Sequence, residues 1–200
     1  MDIKVNFSGR AIQYTEEEIA VVVEAMRNAE PLTQGRHMRE FESRFATYQG
    51  VEQGSCFTAM NGASALEMSA QLCLLKPGDE IVMPSHTFTA SAYPYVKKGA
   101  VMAWADIDLP TRVVTAETVE RALTPRTKAV VVVHLYGYVA DMPAIAALCG
   151  EKGILCIEDA AQSIGSELDG RKAGSFGDMA AFSFHSHKNL TTLGEGGMLY

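Results

Sequence analysis

The chain is predicted to be an α/β protein with a mostly parallel central sheet and helices on both of its faces. From Cys56 onward, strand-like segments alternate with helix-like segments. The apolar run Val130–Val133 is short and unbroken, as is typical of a buried strand. Several helical segments also begin at capping residues and end near glycine or proline. Strands separated by helices favour a parallel sheet that is covered on both sides.

The first two predicted elements are helices. Thr15 is followed three residues later by Glu18, which is a capping-box pattern, and apolar residues then recur at helical spacing to about Asn28. A second helical pattern begins near Met38 and ends at Gly50, a residue type that commonly follows a helix.

The remaining elements alternate between strand and helix. Strands are predicted at 56–60, 81–83, 101–104, 129–133, 154–157 and 179–184, with helices at 63–75, 87–97, 115–123 and 141–148. Pro94 is expected to kink the helix over 87–97, Leu168–Arg171 to form a hairpin turn, and Gly197–Tyr200 to begin a further strand. Parallel sheets bind ligands outside the carboxyl ends of their strands. The polar residues that follow the predicted strands are therefore candidates: Asn61, Ser85, His134 and Asp159.

Composition restricts the class of protein. The chain has 200 residues, a formal net charge of −7 and a hydrophobic fraction of 48%, which suits one globular domain. The acidic balance and the lack of a Lys/Arg stripe argue against nucleic-acid binding. No apolar stretch approaches the roughly 20 residues needed to span a membrane, so no membrane association is expected.

The cysteines and the N-terminal residues indicate the cellular compartment, and the last residues indicate whether the chain is part of a longer protein. The segment Met1–Asn6 has no signal-peptide apolar block, and the four cysteines form no C-x-x-C pair. Buried free thiols in a reducing compartment are the simplest interpretation, which predicts the cytoplasm. The chain ends within an apparent strand at Tyr200, so we expect it to be part of a longer protein.

Lys188 carries the most specific chemical signal in the sequence. It lies between Phe182–Phe184 and the glycine-rich run Gly194–Gly197, and Asp159 precedes it at the end of an apolar strand. A lysine in an apolar setting acts as a neutral nucleophile and then as a general base. Pyridoxal phosphate needs such an amine for its aldehyde and a carboxylate that keeps its ring nitrogen protonated. The residues also fit a surface lysine and a structural carboxylate that caps a helix or forms an ion pair.

A turn and an aromatic residue are further candidates. Gly62, Ala63 and Ser64 lie between a strand and a helix, where backbone N–H groups and the helix dipole bind anions such as phosphate. The same residues also fit a tight turn in which Ser64 caps the helix. Phe88 is either a core aromatic on a helix or a ring that stacks on a flat heterocycle.

Two polar side chains complete the predicted site. Gln162, three residues after Asp159, could hydrogen-bond the ring oxygen of the cofactor or the substrate. Ser183 could donate its hydroxyl group to a phosphate.

Metal and dinucleotide sites are not predicted. His185 and His187 form an H-x-H pattern without identifiable further ligands, so we expect no metal. The glycine-rich run does not match G-x-G-x-x-G, because Leu199 stands where the third glycine belongs.

Together these motifs resemble the DegT/StrS-type sugar aminotransferases, pyridoxal phosphate enzymes of the aspartate-aminotransferase fold. The resemblance covers nearly the whole chain and is most specific in Glu158–Gln162 and Phe182–Gly197. Further matching blocks are Pro31–Gly35, Glu40–Glu42, Asn61–Leu66, Pro77–Glu80, Pro84–Phe88, Asp106–Asp108, His134–Gly137 and Ala140–Met142.

The resemblance implies a role for each candidate. Lys188 would form the covalent link to the cofactor, and Asp159 would face the ring nitrogen. Gln162 would contact the ring oxygen, and Phe88 would stack on the ring face. The phosphate would be held by Gly62, Ala63 and Ser183.

It also implies a reaction and an assembly. An amino group, typically from glutamate, would be transferred to a keto group on a nucleotide-linked sugar. Family members act as homodimers with the active site at the interface. They are longer than this chain, so residues 1–200 are expected to hold the N-terminal segment and most of the large cofactor-binding domain, without the C-terminal small domain.

The chain departs from the family pattern in a few places. Ala63 stands where a hydroxyl residue is common, and Ser186 and His187 stand where proline and a small residue are common. One branch of the family performs dehydration and has histidine at the cofactor-linking position, and Lys188 argues against that branch. The sequence is also compatible with a regulatory protein that binds the cofactor and with an unrelated nucleotide-binding domain.

Overall fold

The computed structural model describes residues 13–200 and begins with two helices, α1 (Glu16–Asn28) and α2 (Arg36–Gln49). The predicted capping box is present, because the Thr15 hydroxyl accepts the Glu18 N–H at 3.2 Å and the Glu18 carboxylate accepts the Thr15 N–H at 2.7 Å. Gly50 ends α2 in the left-handed conformation. The prediction for Met1–Asn6 lies outside the described residues.

The rest of the chain alternates largely as predicted. Two 3₁₀ turns, at Thr89–Ser91 and Leu135–Gly137, lie among the regular elements. These elements are β1 (Phe57–Ala59), α3 (Gly62–Leu72), β2 (Glu80–Pro84), α4 (Tyr93–Lys97), β3 (Val101–Ala105), α5 (Ala116–Ala122), β4 (Thr127–Val133), α6 (Met142–Lys152), β5 (Leu155–Asp159), β6 (Glu167–Leu168), β7 (Arg171–Lys172), β8 (Met179–Ser183) and β9 (Gly197–Leu199).

Seven strands form one sheet in the order β1-β9-β8-β5-β4-β2-β3. Among the described strands of this sheet, β9 alone runs opposite to the other six: it pairs antiparallel with β1 and β8, whereas the pairs β2–β3, β2–β4, β4–β5 and β5–β8 are parallel. The predicted mostly parallel sheet is therefore confirmed. Its carboxyl edge lies where β4, β5 and β8 end, and the candidate site residues follow there.

Alternate residues of the sheet pack against helices on opposite faces. Val131 and Val133 of β4 belong to a core with Leu66 of α3, whereas Val130 and Val132 belong to a core with α5 and α6. A third cluster joins α2 to β8 and β9. Helices on both faces are thus confirmed, and burial on both sides explains why β4 is so continuously apolar.

The prediction of a single kinked helix over 87–97 is wrong. Residues 89–91 form a 3₁₀ turn, and α4 begins separately at Tyr93. Pro94 lies in the first turn of α4, where its missing N–H removes no intrahelical bond. Pro94 therefore favours the start of a helix instead of kinking one.

Two predictions about turns and strands are confirmed. Asp169 and Gly170 both have positive φ, at 50° and 79°, and join β6 to β7 as a tight hairpin turn. Gly197–Leu199 form β9, which is inserted between β1 and β8. A strand thus follows the glycine-rich run, as expected.

The described cysteines are free thiols: Cys56, Cys149 and Cys156 are buried and Cys73 is partly buried. Among residues 13–200, no helix combines the length and the apolar character that crossing a bilayer requires.

Two glycines allow β8, β9 and the start of α3 to approach closely. A Cβ atom on Gly62 would lie 2.9 Å from the Ser183 Cβ. A Cβ atom on Gly197 would overlap the carbonyl carbon and oxygen of Asn61. The backbone of β9 therefore packs directly against the residue that begins α3.

Gly197→Ala should destabilise the protein by more than about 2 kcal/mol, because the clash is with backbone atoms that cannot rotate away. Gly194→Ala is the matched control, since a Cβ there meets nothing within 4 Å. Thermal unfolding of both variants checks the prediction. Equal melting temperatures would show that the two chain segments do not pack as closely as described.

Candidate active site

A cavity of about 420 Å³ lies at the carboxyl ends of the parallel strands. Asn61 follows β1, His134 follows β4, Asp159 ends β5 and Ser183 ends β8. Of the candidates from the sequence, Ser64 and Ser85 do not line this cavity. The other predicted site residues do, namely Gly62, Ala63, Phe88, Asp159, Gln162, Ser183 and Lys188.

Asp159 is a buried carboxylate at the floor of the cavity. Its exposed fraction is 5%, its Oδ2 accepts the Ser91 hydroxyl at 2.6 Å, and its Oδ1 accepts the Ala161 N–H at 3.1 Å. Burial raises the pKa of Asp159, and these bonds, with the nearby His134 and Lys188, only partly oppose that rise. The anionic form therefore lacks a full counter-charge, and a cationic N–H group from a ligand would supply one.

Lys188 lies in the loop after β8 and is partly buried. Its backbone N–H donates to the His185 carbonyl at 2.8 Å, and its side chain lines the same cavity as Asp159. Burial lowers the pKa of Lys188, while the charge of Asp159 acts in the opposite direction. A lowered pKa increases the neutral fraction of the amine, which is the nucleophilic form.

The N-terminus of α3 forms one end of the cavity. Asn61 caps the helix, since its Oδ1 accepts the Ser64 N–H at 2.9 Å and the Ser64 hydroxyl at 3.0 Å. The N–H groups of Gly62 and Ala63, in the first helical turn, have no acceptor within the helix and can bind an anion. Ser183 lies against Gly62 and adds a hydroxyl group.

Ser64 is oriented differently from the other predicted residues. Both its N–H and its hydroxyl bond to Asn61, and it does not line the cavity described above. These bonds favour a role in the helix cap, although Asn61 is the capping residue. Phosphate contact by Ser64 stays a prediction without support from the geometry.

Phe88 precedes the first 3₁₀ turn and does not lie on a helix. Its exposed fraction is 71%, which excludes a core aromatic. The ring lines the cavity and is available to cover a flat ligand.

Gln162 has its amide oxygen occupied. Its Oε1 accepts the Tyr136 backbone N–H at 3.1 Å. Tyr136 has φ of 55°, and this left-handed turn brings its N–H to Gln162. The amide NH₂ group of Gln162 is then the part that can donate to an oxygen of a ligand, as its predicted role requires.

The sequence indicated His134 only as a candidate polar residue at the end of a strand and did not predict its buried pair with Glu158. Both side chains are fully buried, with Nε2 of His134 2.8 Å from Oε2 of Glu158. The Ala140 N–H donates to Nδ1 of His134, so the neutral ring carries its proton on Nε2 and donates it to Glu158.

Glu158 also organises the loop that follows β7. Its carboxylate accepts the N–H groups of Gly174, Phe176 and Gly177 at 2.6–2.7 Å. Burial acts to raise the pKa of Glu158, but the hydrogen bonds from His134 and from the backbone N–H groups outweigh it and lower the pKa. Neighbouring residues of a strand face opposite sides, which separates this structural carboxylate from Asp159.

Thr87 and Ser91 also line the cavity, although the sequence did not single them out. Their spacing of four residues is a weak signal, because it fits an ordinary helix face equally well. His185 and His187 line the cavity too, and His185 lies 3.5 Å from Glu195. In the described part of the chain, no group of three or more His, Cys, Asp or Glu side chains is arranged to hold a metal ion.

The features of the cavity fit pyridoxal phosphate. Helix N–H groups and the Ser183 hydroxyl suit the phosphate, and the partly desolvated Lys188 suits the aldehyde. A cationic N–H partner would stabilise the ionised form of the buried Asp159, and a protonated pyridine nitrogen is such a partner. Phe88 offers a ring to cover the heterocycle.

The model of the DegT/DnrJ/EryC1/StrS aminotransferase family matches residues 13–200. The chain belongs to this family, which confirms the resemblance drawn from the motifs. It is 41% identical over 165 residues to the UDP-N-acetyl-3-dehydro-α-D-glucosamine 3-aminotransferase of Acidithiobacillus ferrooxidans, covering 82% of this chain and 44% of that protein.

Solved structures agree with the fold. The aminotransferase TlmJ from Streptoalloteichus hindustanus has a TM-score of 0.89 at 38% identity, covering 96% of this chain and 52% of that one. NtdA from Bacillus subtilis, solved with bound cofactor PMP, has a TM-score of 0.81 at 29% identity, covering 92% and 42%. The family and these neighbours support pyridoxal phosphate as the cofactor. The chain spans about half the length of the relatives that it matches.

Proposed function

We propose that the chain is the cofactor-binding part of a pyridoxal phosphate-dependent aminotransferase. It would transfer an amino group from an amino acid, L-glutamate in the first instance, to a keto group on a nucleotide-linked sugar. Residues 1–200 would comprise an N-terminal segment and most of the large domain, with a C-terminal small domain beyond them. The protein would act in the cytoplasm as a homodimer with its active site at the interface.

One observation carries this proposal. A partly desolvated amine, Lys188, and a buried carboxylate, Asp159, face the same cavity, and an anion-binding helix N-terminus lies beside them. When bound, the cofactor would supply an electron sink for carbanion chemistry. A cavity that only held a nucleotide would not require a lysine with a lowered pKa at its centre.

Each residue that lines the cavity would have a distinct role, set by its position. Gly62, Ala63 and Ser183 would hold the phosphate, and Phe88 would cover the ring and exclude water from one face. Asp159 would hold a proton at the ring nitrogen. Lys188, once its amine is released, would move the substrate proton as a general base, because it lies in the cavity in a form that is readily neutral.

The acceptor class is inferred from a relative. The Acidithiobacillus protein, 41% identical, is named for action on a UDP-linked keto sugar. We carry this class to the present chain because the match covers most of the cofactor-binding region. The particular sugar, the carbon and the nucleotide depend on residues that do not line the cavity described here.

The test uses the full-length protein in two half-reactions. Stoichiometric L-glutamate should convert the lysine-linked cofactor to its amine form, with loss of the visible absorbance and release of one 2-oxoglutarate. A panel of nucleotide-linked keto sugars should then restore the absorbance, with an aminated sugar found by mass spectrometry.

The outcomes separate transamination from the competing functions. A bound cofactor that does not respond to glutamate or other amino acids would favour a regulatory protein. Conversion of the sugar without transfer of nitrogen would favour a dehydratase. A purified protein that takes up no pyridoxal phosphate would refute the proposal.

A further inference from the structure

A chain of two hydroxyl groups leads to Asp159 from the 3₁₀ turn. The Thr87 Oγ1 lies 2.7 Å from the Ser91 Oγ, and the Ser91 hydroxyl donates to Asp159 Oδ2 at 2.6 Å. Ser91 is 1% exposed, so water does not compete for its bond to Asp159, whereas the contact with Thr87 is only partly buried. Such short, buried hydrogen bonds to a carboxylate are charge-assisted and strong.

Counting protons gives the chain a direction. The Ser91 hydroxyl has one proton, and it is donated to Asp159. Thr87 must then be the donor in the contact between the two hydroxyls, which polarises Ser91 further toward the carboxylate. If Asp159 were protonated on Oδ2, its own proton would point at Ser91 and the direction would reverse. Both hydroxyl groups can therefore point toward Asp159 only when Oδ2 is ionised, and this arrangement favours the ionised form over the protonated one.

The same bonds fix the plane of the carboxylate. Ser91 holds Oδ2 and the Ala161 N–H holds Oδ1, so each oxygen is restrained from a different chain segment. Each oxygen retains acceptor capacity for a further donor. The titratable groups that face Asp159 are His134, from the end of β4, Lys188, from the loop after β8, and Tyr95, from α4.

We propose that Ser91, supported by Thr87, is a positioning residue that keeps Asp159 ionised and correctly oriented, so that the ring nitrogen of the bound cofactor retains its proton. This rests on the proposed function, because it assigns Ser91 to the same cofactor. Ser91 acts through Asp159. The described hydrogen bonds of its hydroxyl group are to Asp159 and Thr87, and not to the amine of Lys188 or to the N-terminus of α3.

The test is nitrogen-15 NMR of the full-length protein loaded with pyridoxal phosphate labelled at the ring nitrogen. In Ser91→Ala the resonance should move toward that of the unprotonated ring, and the pH midpoint of this change should shift by about one unit, a tenfold change in the proton equilibrium. The glutamate half-reaction should slow by about tenfold. Thr87→Val should shift the resonance in the same direction by a smaller amount.

Ser69→Ala is the matched control. Ser69 is also fully buried, and its hydroxyl bonds to the Tyr95 hydroxyl at 2.8 Å, outside the cavity lining. This variant should lose stability without moving the ring resonance. A resonance that is identical in wild type, Ser91→Ala and Thr87→Val would overturn the inference. If Ser91→Ala does not fold, Thr87→Val decides alone. Failure of the wild type to bind the labelled cofactor would instead refute the proposed function, and this inference with it.

Discussion

Lys188→Ala should abolish the visible absorbance of the lysine-linked cofactor and slow amino-group transfer by about 10³-fold or more. The variant removes both the covalent attachment and the base, and a positioned proton-transfer group alone contributes about 10²–10⁴-fold. The lowered pKa of Lys188 and its place in the cavity with Asp159 make it the described residue suited to both tasks. Absorbance spectra and rates of the glutamate half-reaction measure the effect.

Chemical trapping can identify the lysine to which the cofactor is attached. Borohydride reduction of the wild type followed by peptide mass spectrometry should place the cofactor on Lys188 and not on another lysine. Lys152→Ala is the control, since Lys152 lies on α6 and is largely exposed. An unchanged spectrum in Lys188→Ala, or an adduct elsewhere, would contradict the assignment.

Asp159→Asn should leave the cofactor attached but reduce the rate of transfer by about 10²–10⁴-fold. Breaking a buried charge pair costs about 3–5 kcal/mol, and an amide cannot hold the ring nitrogen in its protonated form. The glutamate half-reaction and the retention of the lysine-linked absorbance measure the two effects separately. Asp178→Asn is the control, because Asp178 bonds to the Cys156 backbone at the opposite end of β5. Equal rates in Asp159→Asn and wild type would remove Asp159 from the site.

The pH dependence of the cofactor-free protein gives a second readout for Asp159. Burial raises the pKa of Asp159 in the folded state, so the folded protein binds this proton more tightly than the unfolded chain does. The free energy of unfolding therefore decreases as the pH rises above about 4, the pKa of Asp159 in the unfolded chain. The full decrease is reached once the pH exceeds the raised pKa of the folded protein. Asp159→Asn should lack this component, and adding pyridoxal phosphate to the wild type should reverse it. Thermal unfolding across this pH range, with and without cofactor, tests the sign.

Much of the architecture was predictable because its signals are local. Capping residues marked the start of α1, glycine marked the end of α2, and the unbroken apolar run of β4 indicated a strand with both sides covered. Parallel strands align their carboxyl ends, so Asn61, His134 and Asp159 could be assigned to one edge before any contact was known.

Other features depended on contacts between distant segments. The segment 87–97 was predicted to be one helix, but residues 89–91 form a 3₁₀ turn, and Ser91 in this turn donates to Asp159 at the end of β5. Serine is a residue type that commonly binds phosphate, but the N–H and the hydroxyl group of Ser64 both donate to Oδ1 of Asn61. The hydrogen bond from the Tyr136 N–H to Gln162 is made from a left-handed turn, which no local sequence pattern predicted.

Residue types and their order were sufficient to indicate the sheet and to single out Lys188 and Asp159 as the candidate nucleophile and its acidic partner, because amphipathic periodicity and chemical identity are properties of the chain itself. Burial, hydrogen-bond direction and the resulting pKa shifts belong to the folded molecule. They arise where segments such as β5 and the turn at Thr89–Ser91, far apart in sequence, exclude water together. Packing therefore decided which polar groups around the cavity are committed to one another and which remain available to a ligand.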